Sequence, residues 1–190
     1  LTREKLSLEE RLRVRELRFM VDMSARTALV LLLSVGFTLA QIYGSPISGP
    51  WLQLLWFAAI CWLTLVWSVH FKKGSAIGEK LRRIDIAFRY LVMASMASFG
   101  IYCLVTDGPI SSNWLAIKIL LFAIILLNGV WIRQIIGRWP AAFELVRAGG
   151  DNAERGELLI KKLQRDTNHA ALCIWILVVL MAFLGIVKPY

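Results

Sequence analysis

The sequence predicts an all-α membrane protein: a polytopic helical bundle of five transmembrane helices, built as two tandem parallel hairpin repeats plus one C-terminal helix. Three observations predict it. The 190-residue chain is 58% hydrophobic, with a mean hydropathy of +0.63. Its apolar residues fall in blocks close to the roughly 20 residues that cross a hydrocarbon core of about 30 Å. Shifted by 63 positions, the chain matches itself without a gap: Asp22 and Arg26 fall on Asp85 and Arg89, Pro46-Ile47-Ser48 on Pro109-Ile110-Ser111, and Trp51-Leu52 on Trp114-Leu115. Basic residues, finally, crowd alternate connecting segments and leave the others empty.

Residues 1–25 are charged and carry a helical period, with Ser7 and Glu10 spaced as a capping box and Leu8, Leu12 and Phe19 on one side. This pattern predicts a cytoplasmic amphipathic helix, lying on the membrane surface or against a partner, or else a solvated extension of the first span. No small-residue cleavage site closes the first apolar block, so no cleavable leader is expected. Because position 1 is Leu, further residues are expected before it.

Residues 26–133 hold the duplicated hairpins, the two copies covering 22–70 and 85–133, with spans near 26–43, 51–70, 88–105 and 114–133. Gly44-Ser45-Pro46 and Gly49-Pro50 break the first hairpin, and Asp107-Gly108-Pro109 the second. Trp51 and Trp114 fall where aromatic side chains anchor at a membrane–water boundary. Residues 134–168 form a cytoplasmic connector. In it Trp139-Pro140 stops the preceding helix, Gly149-Gly150 makes a break, and Asp151 with Glu154 opens a short surface helix bearing Leu158, Leu159 and Leu163. Residues 169–190 complete the chain as the C-terminal transmembrane helix.

A net charge of +9 would suggest nucleic acid for a soluble chain. Here the charge is segregated. Arg3, Lys5, Arg11, Arg13, Arg15 and Arg18 precede the first span; Lys72, Lys73, Lys80, Arg82 and Arg83 follow the second; Arg138, Arg147, Arg155, Lys161, Lys162 and Arg165 follow the fourth. The Pro-Ile-Ser turns carry none. Excess Lys and Arg stay on the cytoplasmic side. The expected setting is therefore a bacterial inner membrane crossed five times, N-terminus cytoplasmic and C-terminus outside, with the lipid bilayer rather than nucleic acid as partner. Cys61, Cys103 and Cys173 stand alone in apolar blocks and read as small buried hydrophobes.

Ionisable groups inside a span are costly and so are functional candidates. Asp22 and Arg26 share a helix face, as do Asp85 and Arg89, each pair four residues apart. Present in both copies and close to the inner ends, they read as structural polar pairs of the scaffold. Lys118 lies one turn inside Trp114, about 6 Å deep, and its counterpart in the first copy is Leu55. The scaffold does not require it; it either snorkels to the outer surface or contacts a ligand. Asn128 is expected to bond across helices. His70 closes the second span and His169 opens the fifth, with Cys173 on the same face as His169. Two imidazoles near one level can ligate a metal or a haem iron; interfacial histidines bonded to loop carbonyls are the alternative. The Met20/Met23 and Met93/Met96 pairs suit copper(I) in principle and packing in practice. No nucleophile–base pair, phosphate-cradling loop or zinc-protease pattern occurs.

From the second span onward the chain resembles the bacterial membrane-bound HemJ-type protoporphyrinogen oxidases and the related copper-resistance-D membrane domain. The residues that carry the resemblance are Trp56-Phe57-Ala58 with His70 fourteen positions on, Trp114-Leu115-x-x-Lys118, and the closing Val187-Lys188-Pro189-Tyr190. In that family the lysine matched by Lys118, and a histidine whose position falls near Gly49 here, are associated with activity and haem binding; Leu65 stands where the family tends to have arginine. The resemblance implies a helical bundle that holds haem b, another tetrapyrrole or a metal, with Lys118, His70 and His169 as candidate cofactor contacts. Lys118 would be the catalytic candidate were there catalysis. Two other readings stay open: a non-catalytic scaffold or assembly subunit, as a homo-oligomer or in a larger membrane complex, and a small transporter, for which internal repeats are common.

Overall fold

The computed structural model describes residues 8–43, 45, 47–72, 74–106, 108–110 and 112–188, and the side chains of these except 8, 9, 11–20 and 22. Six α-helices and one short 3-10 turn make up the described chain, with no strand among the described residues: α1 Leu8–Ala40, the 3-10 turn Gln41–Tyr43, α2 Pro50–Phe71, α3 Ala76–Thr106, α4 Asn113–Gly137, α5 Trp139–Ala148 and α6 Gly150–Val187. Five helical stretches are long and apolar enough to cross a membrane, in agreement with the five predicted spans: Met23–Tyr43, Pro50–Phe71, Ala76–Thr106, Asn113–Ala148 and Gly150–Val187.

The turn signals act where they stand in the sequence. Pro50 occupies the first turn of α2, where its missing N–H costs no hydrogen bond, and Gly49 precedes it in the left-handed region at φ 54°. The Ser45 N–H donates to the Ala40 carbonyl at 3.2 Å, and the Ser45 hydroxyl accepts from the Ile47 N–H at 3.3 Å, which closes the first turn. The α2 and α4 helices start at Pro50 and Asn113, positions that the 63-residue offset puts in register.

Two helices run longer than the predicted spans. From Leu8 on the charged N-terminal residues are not a separate helix but, as the second of the two expected readings had it, an extension of the first span: α1 continues without a break into the apolar block. Arg, Glu and Leu are good helix formers, and nothing near position 25 stops them. The short helix after Gly150 is likewise no separate surface helix. It is the start of α6, which runs 38 residues to Val187, or about 57 Å at 1.5 Å per residue. The expected boundary at 168–169 is therefore interior to a helix. Ser7, in the predicted capping box, lies outside the described residues.

The chain divides into two compact units, residues 1–19 with 124–183 and residues 20–123 with 184–190. In the first, the end of α4, α5 and the start of α6 close on Ile135, Trp139, Ala142, Phe143, Ile160, Leu163 and Ala170. Gly149 and Gly150, both left-handed, turn the chain between α5 and α6. Gly156 lets the two helices touch, since a Cβ there would meet the Val146 nitrogen at 2.8 Å and the Ala142 carbonyl oxygen at 3.0 Å. The buried Asn128 side-chain amide donates to the Ala170 carbonyl at 2.8 Å, the inter-helix bond expected of it.

In the second unit Val30, Ser34, Phe37 and Ala40 of α1, Ala59, Trp62 and Val66 of α2, Cys103 of α3 and Ala116, Ile119 and Phe122 of α4 are buried. The Trp56 indole N–H donates to the Thr38 hydroxyl at 3.1 Å. Close passage of α3 by α4 depends on Gly100, where a Cβ would lie 2.8 Å from Leu120 Cγ and 3.2 Å from the Ala116 carbonyl oxygen. Of the three cysteines, all free, only Cys103 is buried; Cys61 and Cys173 are exposed, on faces of α2 and α6 that the rest of the chain leaves uncovered.

Candidate functional site

Among the described residues, two places in the second unit set a cation against an indole ring. The first is buried. Asp85 is fully enclosed on α3, and Arg89, one turn on, donates from Nε to Asp85 Oδ2 at 3.2 Å. From α2 the Trp62 indole N–H donates to the other carboxylate oxygen at 3.2 Å. The Arg89 guanidinium carbon stands 5.5 Å from the Trp62 ring centre, and Phe88 meets the same ring edge-on at 5.2 Å. A charge in an apolar interior is tolerated only when paired and hydrogen-bonded, and here both oxygens of the carboxylate receive a donor. The pair predicted from the sequence at Asp85 and Arg89 is thus formed. Its counterpart cannot be compared, because the Asp22 side chain lies outside the described residues; Arg26 is half-buried.

The second place is at the turn end of the unit, where α1 stops, α4 starts and α6 stops. The Tyr43 and Trp114 rings meet edge-to-face, centres 5.2 Å apart at 84°. Lys118 Nζ sits 5.8 Å from the Trp114 ring centre. Lys188 Nζ sits 4.5 Å from the Tyr43 ring centre and donates to its hydroxyl at 2.7 Å. Lys118 Nζ also occupies the niche above Gly185, where a Cβ would come within 3.1 Å of it. Two ammonium groups thus flank one aromatic pair, and among the described residues no carboxylate pairs with either. In the segments that build this end, 41–53, 103–118 and 184–190, Asp107 is the one acidic residue, and it lies outside the described residues. Such an arrangement can bind an anion that also has an apolar or aromatic body.

The other predicted site residues are not part of this cluster. His70 is half-buried among the rings of Trp67 and Phe71, centres 6.1 and 5.3 Å away, in the second unit. His169 is exposed in the first unit, on the same helix as Cys173. Among the described residues there is no group of three or more His, Cys, Asp or Glu able to hold a metal ion. Met23 is buried, and Met93 and Met96 are half-buried.

Tyr43, Gly185 and Lys188 at this site, and Trp62 as the partner of Asp85, are not among the residues expected from the sequence. One signal was present. Lys118 and Lys188 are the basic residues that break the charge alternation, standing at or near segments otherwise free of Lys and Arg. The two boundary tryptophans also part company: Trp51 is exposed, whereas Trp114 is buried. Tyr43 and Lys118 cover Trp114, and the first copy has Leu55 in place of that lysine. No family model matches the chain, and neither does any curated protein or solved structure.

Proposed function

We propose that this chain is a multi-pass protein of a bacterial inner membrane, with its basic segments cytoplasmic. In this reading the turn end of its bundle holds the carboxylate of an amphipathic anion, a tetrapyrrole being the class that the sequence resemblance suggests. The observation that carries the reading is Lys118: an ammonium group one turn into an apolar helix, laid against Trp114 and over Gly185, with no carboxylate beside it among the described residues. An unneutralised cation at membrane depth is a functional feature by default. The site fits a carboxylate-bearing ring: the Lys118 ammonium takes the acid, and Tyr43 and Trp114 offer the flat apolar contact. A bound tetrapyrrole would supply visible absorption and, as haem, a redox-active iron; the chain's own part is to hold and orient its acid groups. Neither histidine is needed for that.

The test is a binding titration. Protein in phosphatidylcholine nanodiscs is titrated with protoporphyrin IX while quenching of tryptophan emission is followed. Lys118→Gln is expected to weaken binding about tenfold, the value of one lost charge-assisted hydrogen bond. Absence of binding by the unaltered protein, or equal binding by the variant, overturns the reading. A second reading, a non-catalytic subunit of a larger membrane assembly, rests on α6: only 6% of its most apolar stretch is buried, against 44% for that of Asn113–Ala148. A partner that stays bound through extraction from native membranes in mild detergent would support it.

A further inference from the structure

Lys188 is the residue of this end that the proposed function leaves unused, and two independent features single it out. Its backbone is left-handed at φ 44°, the only non-glycine residue with positive φ among the described residues. The Lys188 N–H donates back to the Leu184 carbonyl at 3.1 Å, so the residue ends α6 in the position that glycine usually fills. A side chain there is disfavoured by its Cβ, and Pro189 in the sequence disfavours helix-like backbone in the residue before it. Strain of this kind persists where the side chain is wanted in place. The second feature is the partner. An ammonium group hydrogen-bonded to a neutral phenol holds a weaker acceptor than a carboxylate or phosphate would be, and Tyr43 is half of the aromatic pair whose other half, Trp114, carries Lys118.

We infer that Lys118 and Lys188 form a two-point anion clamp, and that the ligand of this end carries two acidic groups on one apolar body. Tyr43 holds Lys188 in readiness. On binding, the second acid group of the ligand takes the ammonium from the phenol hydroxyl, while the aromatic pair keeps contact with the body between the acids. No bond is made or broken in this exchange apart from hydrogen bonds. The inference deepens the proposed function and rests on it.

The experiment uses full-length protein in phosphatidylcholine nanodiscs and three probes: protoporphyrin IX, its monomethyl ester and its dimethyl ester. Each esterification removes one negative charge and leaves the ring intact. The unaltered protein should bind the diacid about tenfold more tightly than the monoester, and the monoester more tightly than the diester. Lys188→Gln should bind diacid and monoester alike, while Lys118 still separates monoester from diester. Tyr43→Phe, which removes only the competing hydroxyl, should tighten diacid binding a few-fold. Should Lys188→Gln keep the full preference for the diacid, or Tyr43→Phe weaken binding as much as Lys188→Gln does, Lys188 is a tie of the fold and the clamp is refuted. A Lys118→Gln variant indistinguishable from the unaltered protein would instead defeat the proposed function itself. Nanodiscs containing phosphatidic acid form the last arm: competition with the diacid that Lys188→Gln abolishes assigns the same clamp to a lipid phosphate.

Discussion

Among its described residues the second unit presents the same pair of groups twice, a cation against an indole, in opposite settings. At Trp62 the cation is Arg89, the carboxylate Asp85 completes the set, and every member is buried. At Trp114 the cation is Lys118, half-exposed, with no described carboxylate and a second cation nearby on Tyr43. The first set is closed: the Arg89 cation meets a carboxylate on its own helix, and both carboxylate oxygens take a donor from inside the chain. The second is open, holding positive charge that nothing described in the chain answers. Enclosed and paired argues for holding helices together; open and cationic argues for holding something else. The choice of cation agrees. Arginine, a planar fork of fixed donors, suits the fixed pair, and lysine, a point charge on a flexible stem, suits a site that has to rearrange.

The largest way to break this contrast is at Asp85. Replacing Asp85 with Ala takes its carboxylate from the buried Arg89 cation, and should cost about 3–5 kcal/mol of stability, read as the loss of folded protein in a detergent unfolding titration. Replacing the pair together, Asp85→Leu with Arg89→Met, should recover most of that loss, because a buried ion pair exchanged for apolar groups of similar size is often close to neutral. If Asp85→Ala unfolded no more easily than the parent, the closed set would not be a structural device. Next in size is Trp62→Phe. It keeps most of the ring surface and removes a donor to a buried carboxylate oxygen, at about 1–3 kcal/mol.

What was legible in the sequence follows the same line. The five apolar stretches, the glycine at position 49 and the start of α2 at Pro50 could be read because they depend on local chemistry: block length, a missing N–H group and a glycine conformation. The Asp85–Arg89 pair could be read because its members are four apart on one helix. Trp62 could not be read as its third member. It comes from another helix, twenty-three residues away, and the second copy of the repeat has Ile125 there. The continuity of α6 was hidden, and that of α1 was one of two readings, because charged stretches suggest a surface while their residues still favour helix. The turn-end cluster assembles from three chain segments far apart in sequence, and only Lys118 announced itself, as a charge without a repeat counterpart.

On the open side the stability effects should shrink. Lys118→Met keeps most of the stem packed on Trp114 and removes the charge. The loss should be no more than about 0.5–1 kcal/mol, the value of a part-exposed cation–π contact, on the same unfolding titration that registers Asp85→Ala. A loss as large as that of the buried set would make Lys118 structural and erase the contrast between the two sites.

The smallest stability effect is expected at Gly185, and it sharpens the comparison most. An added Cβ there would come 3.1 Å from Lys118 Nζ and meets no other atom within 4 Å outside its own stretch of helix. The ammonium ends a flexible four-carbon stem and can withdraw at little cost. Alanine within a helix is favoured over glycine by roughly 0.5–1 kcal/mol, so Gly185→Ala should leave stability unchanged or slightly raised. It should nevertheless push Lys118 out of its niche and lower affinity for protoporphyrin IX by a few-fold. No substitution around Asp85 has that signature, because there any change that moves the cation also unpairs a buried charge. Loss of affinity without loss of stability is what an open site predicts; a parallel fall in both would mean that Gly185 serves the packing of α6 and that the niche over it has no part in placing the lysine.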